Sequence, residues 1–318
     1  MSDFKELYKS RFMESKGLQA ERRIKLLEEQ RKKREENFLG HRNITSVKFK
    51  KWKKKCKTKD YRNVTMLSEW MMEMPDDLEN FFLVACPKGI RCTLSNEKYR
   101  NCTLYYKNGA EFLNVKANVP KGTVLDCIYS EPTLYVLDVM KYDNREFIEC
   151  DTAFRSYWIK NKFIEDDLKI YESSEKCSKL QLIEMIDFAD SNMIQKCFQT
   201  FPLFEDNKEL DGFLFYHKEA SYTFGQTPLV LWLFGFMIEE VLPMFRVHQH
   251  YNEQKPENYI SYLDYICDFN IQLKIKRRRY RNRIEKENMD VEDIENNEEQ
   301  EPDEMQKMIN LEKYGDFE

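Results

Sequence analysis

The sequence predicts an α+β fold with antiparallel or mixed sheets and a few helices. Short runs rich in β-branched and aromatic residues follow one another from residue 81, separated by turn residues, as in "FFLVACP", "TLYYKNG", "EFLNVKA" and "TVLDCIY". Helical periodicity is confined to the first 44 residues, to residues 151–200 and to the stretch from about residue 257. Strands and helices therefore do not alternate, which argues against a doubly wound parallel sheet.

The composition divides the chain into five segments. Residues 1–62 carry 21 Lys and Arg against 9 Asp and Glu, whereas residues 287–318 carry 2 against 13. The first segment is a polar helix whose apolar residues form only a thin stripe, so we expect it to be frayed when free and ordered when bound. The predicted segments are a basic helix at 1–44, a basic linker at 45–63, a body at 64–250, a basic helical extension at 251–286 and a disordered acidic tail at 287–318.

Local patterns predict the elements of the body. A helix covers "DTAFRSYWIKNKF", with Asp151 or Thr152 as its N-cap, and a second helix covers "KLQLIEMIDFADSNMIQKCFQTF". The stretches "FIECD" and "DGFLFYHKEASYTF" read as strands, and "KNG" predicts a tight turn between two strands.

Several function classes are disfavoured by missing motifs. The sequence has no Walker A loop, no GxGxxG, no HExxH and no recognisable Ser/His/Asp arrangement. His248 and His250 flank one glutamine, but no cysteine or carboxylate cluster accompanies them, so we predict no metal and no cofactor. Nine cysteines occur singly, which is typical of a chain in a reducing compartment. No apolar run has the length of a membrane span and the N-terminus has no apolar signal, so we predict no membrane partner.

The stretch "CPKGIR", residues 86–91, has the shape of a strand, a tight turn and a return strand. Covalent nucleotidyltransferases of the mRNA-capping and DNA-ligase type carry K-x-D-G-x-R there, and its lysine attacks the nucleotide. Aligning Gly89 and Arg91 with that motif places Cys86 at the lysine position. "VLDCIY", "YVLDVM", "LDGFLFYHK" and "PLVLWL" resemble later motifs in the same order. The resemblance implies a nucleotidyltransferase-like domain whose cleft lacks the catalytic amine.

Longer stretches of the body are similar to the snurportins, import adaptors for spliceosomal small nuclear ribonucleoproteins that are related to capping guanylyltransferases. The likeness covers about residues 64–236 and rests on "MLSEWMMEMPDDL", "CPKGIR", "LYVLDVM", "FRSYWI", "DGFLFYHK" and "TPLVLWL". It implies binding of the 2,2,7-trimethylguanosine cap of small nuclear RNAs, without enzyme activity.

The same resemblance implies a role for six residues of the body. Trp232 would stack on the cationic base, Trp70 would lie beside the N2 methyl groups, and Ser68 would hydrogen-bond the base. Cys86 would line the pocket, while Arg91 and Lys107 would face the phosphates.

The N-terminal segment resembles an importin-β-binding domain, which implies a nuclear import adaptor that shuttles between cytoplasm and nucleus. The implied importin-β contacts are Arg22, Arg23, Lys25, Arg31, Lys32, Lys33 and Arg34. Snurportins also use an apolar N-terminal segment for the export receptor. Here it is shortened to Met1, Phe4 and Leu7, so export-receptor binding is a weaker expectation.

Other interpretations stay open on the residues alone. Trp70 and Trp232 also fit a protein core, and the basic helix also fits an RNA-binding arm. The whole chain could accordingly be an active nucleotidyltransferase of the RNA-capping type or a general RNA-binding protein that uses its basic segments.

Overall fold

The computed structural model describes residues 2–41, 61–98 and 101–290 of the chain. Within them, the α-helices are α1 (Ser2–His41), α2 (Thr152–Glu165), α3 (Ser191–Gln199), α4 (Ile238–Val241), α5 (Gln249–Glu253) and α6 (Tyr262–Asp290). The strands are β1 (Met66–Trp70), β2 (Phe81–Pro87), β3 (Ile90–Lys98), β4 (Asn101–Tyr106), β5 (Glu111–Ala117), β6 (Thr123–Ser130), β7 (Thr133–Tyr142), β8 (Arg145–Glu146), β9 (Ile170–Glu172), β10 (Lys179–Leu182), β11 (Ile186–Asp187), β12 (Leu210–His217) and β13 (Gly225–Leu233).

The strands form two mixed sheets. The first has the order β1-β13-β12-β2-β11, and the second has the order β10-β7-β6-β3-β4-β5-β9, with β8 paired to β7. Most neighbouring strands are antiparallel, but β1 runs parallel to β13 and β10 runs parallel to β7. This arrangement confirms the predicted α+β class.

Strand β12 shows where the core lies. Phe213 and Phe215 point to a hydrophobic cluster that also contains residues of α3, α4, α5 and α6. The alternate residues, Leu214 and Tyr216, point to a second cluster that contains residues of both sheets. Because successive side chains of a strand point to opposite faces, a strand buried on both faces must be apolar throughout. The continuous apolar run "FLFY" follows from this position in the middle of the first sheet.

Helix α1 lies against the body and does not project from it. The side-chain amide of Gln19 donates to the carbonyl oxygen of Trp70 at 3.0 Å. The amide group of Gln30 donates to Thr223 Oγ1 at 3.0 Å and accepts from the backbone N–H of Ser221 at 2.8 Å. These contacts hold the helix at two points along its length.

Helix α1 has the thin apolar stripe that the sequence shows. The expectation that the helix is frayed when free is not supported, because the helix is docked on the body. Leu18, Ile24 and Phe38 remain more than half exposed, whereas Leu26 and Leu27 are half-buried against the cluster that contains residues of both sheets, so only part of the stripe is used in packing. Hydrogen bonds and ion pairs, such as Arg31 with Glu219 at 2.7 Å and Lys33 with Glu149 at 2.6 Å, hold it in place. Exposed pairs of this kind each contribute little, so the docking depends on their number.

Of the two helices predicted in the body, the first is present and the second is present only in part. "DTAFRSYWIKNKF" forms α2, and the Asp151 side chain caps it by accepting from the N–H of Phe154 at 2.8 Å. The second predicted helix is wrong over residues 179–190, where β10 and β11 form instead, and α3 begins only at Ser191. Both strands add to the edge of a sheet, so pairing with β7 and β2 overrides the local helical pattern.

Other boundaries also differ from the prediction. "FIECD" is not a strand; the short strand β8 ends just before it, at Glu146. The first four residues of the predicted acidic tail, 287–290, belong to α6, while residues 291–318 and most of the predicted basic linker lie outside the described residues. Within the part of the chain that the structure describes, no helix is both long enough and apolar enough to cross a bilayer.

Candidate functional site

A pocket lies where β1 and β13 of the first sheet meet the turn between β2 and β3. It is lined by the whole of β1, by Cys86, Gly89 and Arg91 around the turn, and by Asp211 and Trp232. Five of the six predicted site residues therefore share one pocket: Ser68, Trp70, Cys86, Arg91 and Trp232. The sixth, Lys107, is buried in the turn after β4 and does not line this pocket.

Trp232 is held in place by its backbone neighbours. It pairs with Trp70 in the parallel register of β1 and β13. The six-membered ring of its indole lies over Gly212. A Cβ added to Gly212 would lie 2.5 Å from Trp232 Cζ2, so only glycine leaves room for the ring. The indole N–H is buried and has no acceptor among the described residues, while the side chain as a whole is half-buried. Part of the ring therefore contributes a flat aromatic surface to the pocket wall.

Trp70 is part of the core and part of the pocket wall. Only 8% of it is exposed. Its ring packs edge-on against Phe269 of α6, with 5.3 Å between centroids, and is tilted against Phe234 at 5.5 Å. Phe234 also contacts Trp232 edge-on at 5.9 Å, so one phenylalanine packs against both indoles. This packing fixes the orientation of both tryptophans.

Arg91 is committed to a buried polar network behind the pocket. Its Nε and Nη2 donate to the two carboxylate oxygens of Asp126 at 2.6 and 2.7 Å, and Nη2 also donates to the carbonyl of Met66 at 3.3 Å. Tyr222 donates to the same carboxylate at 2.6 Å and accepts from the N–H of Met66 at 3.0 Å. Burial lowers the pKa of Arg91, but attraction to Asp126 outweighs it and raises that pKa well above the ordinary value. The network therefore ties the first residue of β1 to the floor of the pocket.

The "CPKGIR" turn connects the two sheets and is not a hairpin. β2 pairs with β11 and β12 in the first sheet, whereas β3 pairs with β4 and β6 in the second. Gly89 crosses so close to β6 that a Cβ would lie 2.4 Å from the carbonyl oxygen of Tyr129. Cys86, at the position of the nucleophilic lysine, is only 2% exposed. Glycine is required at this crossing because of the close approach to backbone atoms.

Two acidic residues of the pocket were not predicted. Glu69 accepts from both terminal nitrogens of Arg22 at 2.7 Å, and this bond raises the pKa of Arg22. Asp211 lies in β12 beside Gly212. The only signal for Asp211 in the sequence was its place in "LDGF", a motif that was assigned to strand geometry and not to ligand binding.

The predicted importin-β contacts divide into two groups. Arg22, Arg23, Arg31, Lys33 and Arg34 contact the body, for example Arg34 through a hydrogen bond to Ser221 Oγ at 2.6 Å. Lys25 and Lys32 are exposed. His248 and His250, the pair weighed as metal ligands, instead pack on Phe201, and no group of three or more His, Cys, Asp or Glu suited to a metal occurs in the described part of the chain.

A family model agrees with the resemblance seen in the motifs, and the similar solved structures are distant. A family model described as "Snurportin1, m3G cap-binding domain" matches residues 64–234, more than half of the chain. Similar solved structures include the ligase domain of LigD from M. tuberculosis (11% identity, 53% of this chain and 58% of that chain, TM-score 0.36). A mycobacterial DNA ligase D complexed with ATP and MES matches at 10% identity over 53% of this chain and 59% of that chain, with a TM-score of 0.36. A Lig E DNA ligase matches at 10% identity over 53% of this chain and 67% of that chain, also with a TM-score of 0.36. The matched part thus spans less than two thirds of the first two ligase chains.

Proposed function

Because residues 64–234 match its model, the chain belongs to the snurportin m3G cap-binding family, and we propose that it is a nuclear import adaptor without enzyme activity. In this proposal the pocket binds the 2,2,7-trimethylguanosine cap of spliceosomal small nuclear RNAs. Helix α1 recruits importin-β, so that cargo and carrier bind to separate elements of one chain. The protein then shuttles between cytoplasm and nucleus.

The observation that carries the proposal is the meeting of two indoles in one pocket. A 7-methylated guanine is positively charged, and an aromatic face attracts a cation. Stacking of a base on an aromatic side chain contributes about 1–3 kcal/mol. Trp232 presents part of its ring to the pocket and is the proposed stacking surface. Trp70 is the proposed apolar wall for two N2 methyl groups, and Ser68, which lines the same pocket, is the proposed hydrogen-bond partner of the base.

The phosphate contacts remain predictions. The guanidinium of Arg91 is occupied by Asp126, and Lys107 lies outside the pocket lining. Removing a cation that contacts phosphate makes the affinity depend less steeply on salt concentration. Measuring that slope for Lys107→Ala and for Arg91→Met/Asp126→Leu, each of which removes one cation, therefore tests each contact separately.

The proposed importin-β site is supported by a cationic helix of 40 residues. A concave acidic receptor surface suits such a helix. Since five of the seven predicted contacts already bind the body, receptor binding would exchange intramolecular partners for those of the receptor. A pull-down with importin-β and the double variant Lys25→Glu/Lys32→Glu tests the proposal at positions that do not hold the helix on the body; binding should be lost.

The cap proposal is tested by titrating the protein with trimethylated, monomethylated and unmethylated cap dinucleotides. We expect the trimethylated cap to bind most tightly, and Trp232→Ala to weaken it roughly 5- to 150-fold, the equivalent of one lost stacking contact. Trp158→Phe is the matched control, because Trp158 packs on Phe147 and Tyr142 and is not part of the pocket. It should leave cap affinity unchanged.

Two other outcomes would replace the proposal. Affinity that ignores cap methylation and falls steeply with salt would indicate a general RNA-binding protein. A labelled lysyl–nucleotide adduct after incubation with GTP or ATP and a divalent metal would indicate an active nucleotidyltransferase. We expect no adduct, because the thiol of Cys86 cannot form the phosphoramidate that the lysine of the motif forms.

A further inference from the structure

The pocket itself offers few cations for the phosphates that follow a cap. Arg91 is the only cation among its described lining residues, and its guanidinium donates to both carboxylate oxygens of Asp126. Lys107, the other predicted phosphate contact, lies outside the lining. A capped RNA continues beyond its base as a chain of phosphates, and contacts with such a chain contribute a large share of affinity for nucleic acid. Cations for that chain are therefore to be sought on elements beside the pocket.

The first half of α6 is anchored beside the pocket. Tyr262, the first residue of the helix, donates to the carbonyl oxygen of Met72 at 2.9 Å, just after the end of β1. Two turns later, Phe269 packs edge-on against Trp70, the last residue of β1, with 5.3 Å between the ring centroids. Trp70 lines the pocket. The two contacts therefore show that α6 runs in the opposite direction to β1 and reaches the pocket wall at Phe269.

The second half of α6 leaves the body and is strongly cationic. Leu273 is buried, but all the described side chains of α6 that follow it are exposed. Between residues 269 and 284 the sequence contains seven Lys and Arg and no Asp or Glu. An exposed helical stretch with charges of one sign suits a polyanion.

Helix geometry places two of these cations on the side that faces the pocket wall. Lys276 follows Phe269 by seven residues, which is almost two full turns, so the two side chains lie on one face, about 10 Å apart along the axis. Arg279 lies three residues further and is a neighbour of Lys276 on the helix surface. Neither cation forms an ion pair with a carboxylate in the part of the chain that the structure describes.

We propose that Lys276 and Arg279 of α6 form a second RNA site, which binds the phosphates of the first nucleotides after the cap. The site rests on the proposed function, because the cap in the pocket brings the RNA to α6. Nucleotides of a stacked strand are about 3.4 Å apart, so the roughly 10–15 Å from Phe269 to the two cations corresponds to about three or four nucleotides. The site recognises charge and not sequence, since every nucleotide carries the same phosphate.

The proposal is tested with two ligands, a trimethylated cap dinucleotide and a single-stranded RNA of about ten nucleotides that carries the same cap. The capped RNA should bind more tightly. Its advantage should shrink about five- to tenfold between about 50 and 200 mM salt, because two phosphate contacts add about 1.4 to the salt slope. In Lys276→Gln/Arg279→Gln the salt-dependent advantage should be lost, while affinity for the dinucleotide stays unchanged. Both positions are exposed and glutamine favours helix, so the variant should fold.

Lys274→Gln/Arg278→Gln is the matched control, because it removes two charges from the same exposed stretch of α6. These residues follow Phe269 by five and nine positions, which places them on the other side of the helix from Lys276. The control should keep most of the advantage of the capped RNA. The variant Lys276→Arg/Arg279→Lys preserves both charges and should keep it as well.

The outcomes separate the α6 site from the cap pocket. If the wild-type protein binds neither ligand, the proposed function fails and the α6 site fails with it. If the wild-type protein binds both ligands equally tightly at low salt, the cap-binding function stands and the α6 site is refuted, as expected if α6 binds an acidic protein surface instead. Equal losses in the two glutamine variants would also refute it, because overall charge and not one face of α6 would then be responsible.

Discussion

Replacing Gly212 with alanine should damage the pocket through one added methyl group. The new Cβ would lie 2.5 Å from Trp232 Cζ2 and 2.7 Å from the carbonyl oxygen of Leu233. Favourable carbon contacts lie at about 3.5–4.0 Å, so the indole edge must retreat by about 1 Å. Overpacking of this kind costs about 1–3 kcal/mol of unfolding free energy. If the displaced ring no longer stacks on the base, about 1–3 kcal/mol of binding free energy is lost as well, or roughly 5- to 150-fold in Kd.

The assay is a fluorescence titration with trimethylated cap dinucleotide, combined with urea unfolding of the same variants. Gly225→Ala is the matched control because Gly225 opens the same strand that carries Trp232. It has φ +80° but no atom within 4 Å of its Cβ position. That substitution costs roughly 1–2 kcal/mol through backbone strain alone. It should lower stability and leave the Kd unchanged.

Wild-type affinity in Gly212→Ala would refute the reasoning. It would mean that the indole, in the position that Gly212 imposes, is not the stacking surface. Equal losses of affinity in Gly212→Ala and Gly225→Ala would point to general destabilisation and would also contradict the prediction.

Two further predictions concern stability. Arg91→Ala leaves the fully buried carboxylate of Asp126 without its bidentate partner, so the free energy of unfolding in urea should fall by about 3–5 kcal/mol. Asp77 lies in the body, where it is bound by His217 and attracted by Arg23 of α1, and both lower its pKa. A lowered pKa contributes stability that is present above the ordinary value near 4 and is lost as pH falls through the lowered value, so the amide protection of α1 measured by hydrogen exchange should fall in that window.

Each of these has a contrary outcome. Arg91→Ala with wild-type stability would show that water compensates the buried carboxylate, and the double variant Arg91→Met/Asp126→Leu should cost less than the single one. If the amides of α1 stay protected until the two sheets unfold, the charges at Asp77 do not hold the helix. The pH series therefore separates local undocking from global unfolding.

The residue types of the site were predictable because their chemistry is visible in short motifs. "LSEW", "CPKGIR" and "PLVLWL" contain five of the residues that the fold brings into one pocket. The family resemblance also assigned Lys107 to the phosphates, yet Lys107 lies in a turn outside the pocket lining. Glu69 and Asp211 were not predicted as ligand contacts, because a carboxylate next to an aromatic residue or a glycine is common on any strand. The β-bulge at Asp211, where Leu210 pairs with Pro87 and Gly212 pairs with Cys86, depends on pairing with β2, which is remote in the chain.

Local patterns failed where sheet edges decided the structure. The stretch from Lys179 to Asp190 has helical spacing, yet it pairs with β7 and β2. The polar contacts of α1 with Ser221 and Glu219 could not be predicted, because they join residues 188 to 191 positions apart.

The sequence by itself determined the α+β class, the family resemblance and the residue types of the pocket, since these depend on composition, periodicity and contiguous motifs. Only the tertiary structure decided that Trp70 and Trp232 are side by side, that Arg91 is bound to Asp126, and that α1 rests on the body. Each of those facts depends on strand register or on contacts between distant segments. Register shifted by one residue would turn every side chain of a strand to the opposite face.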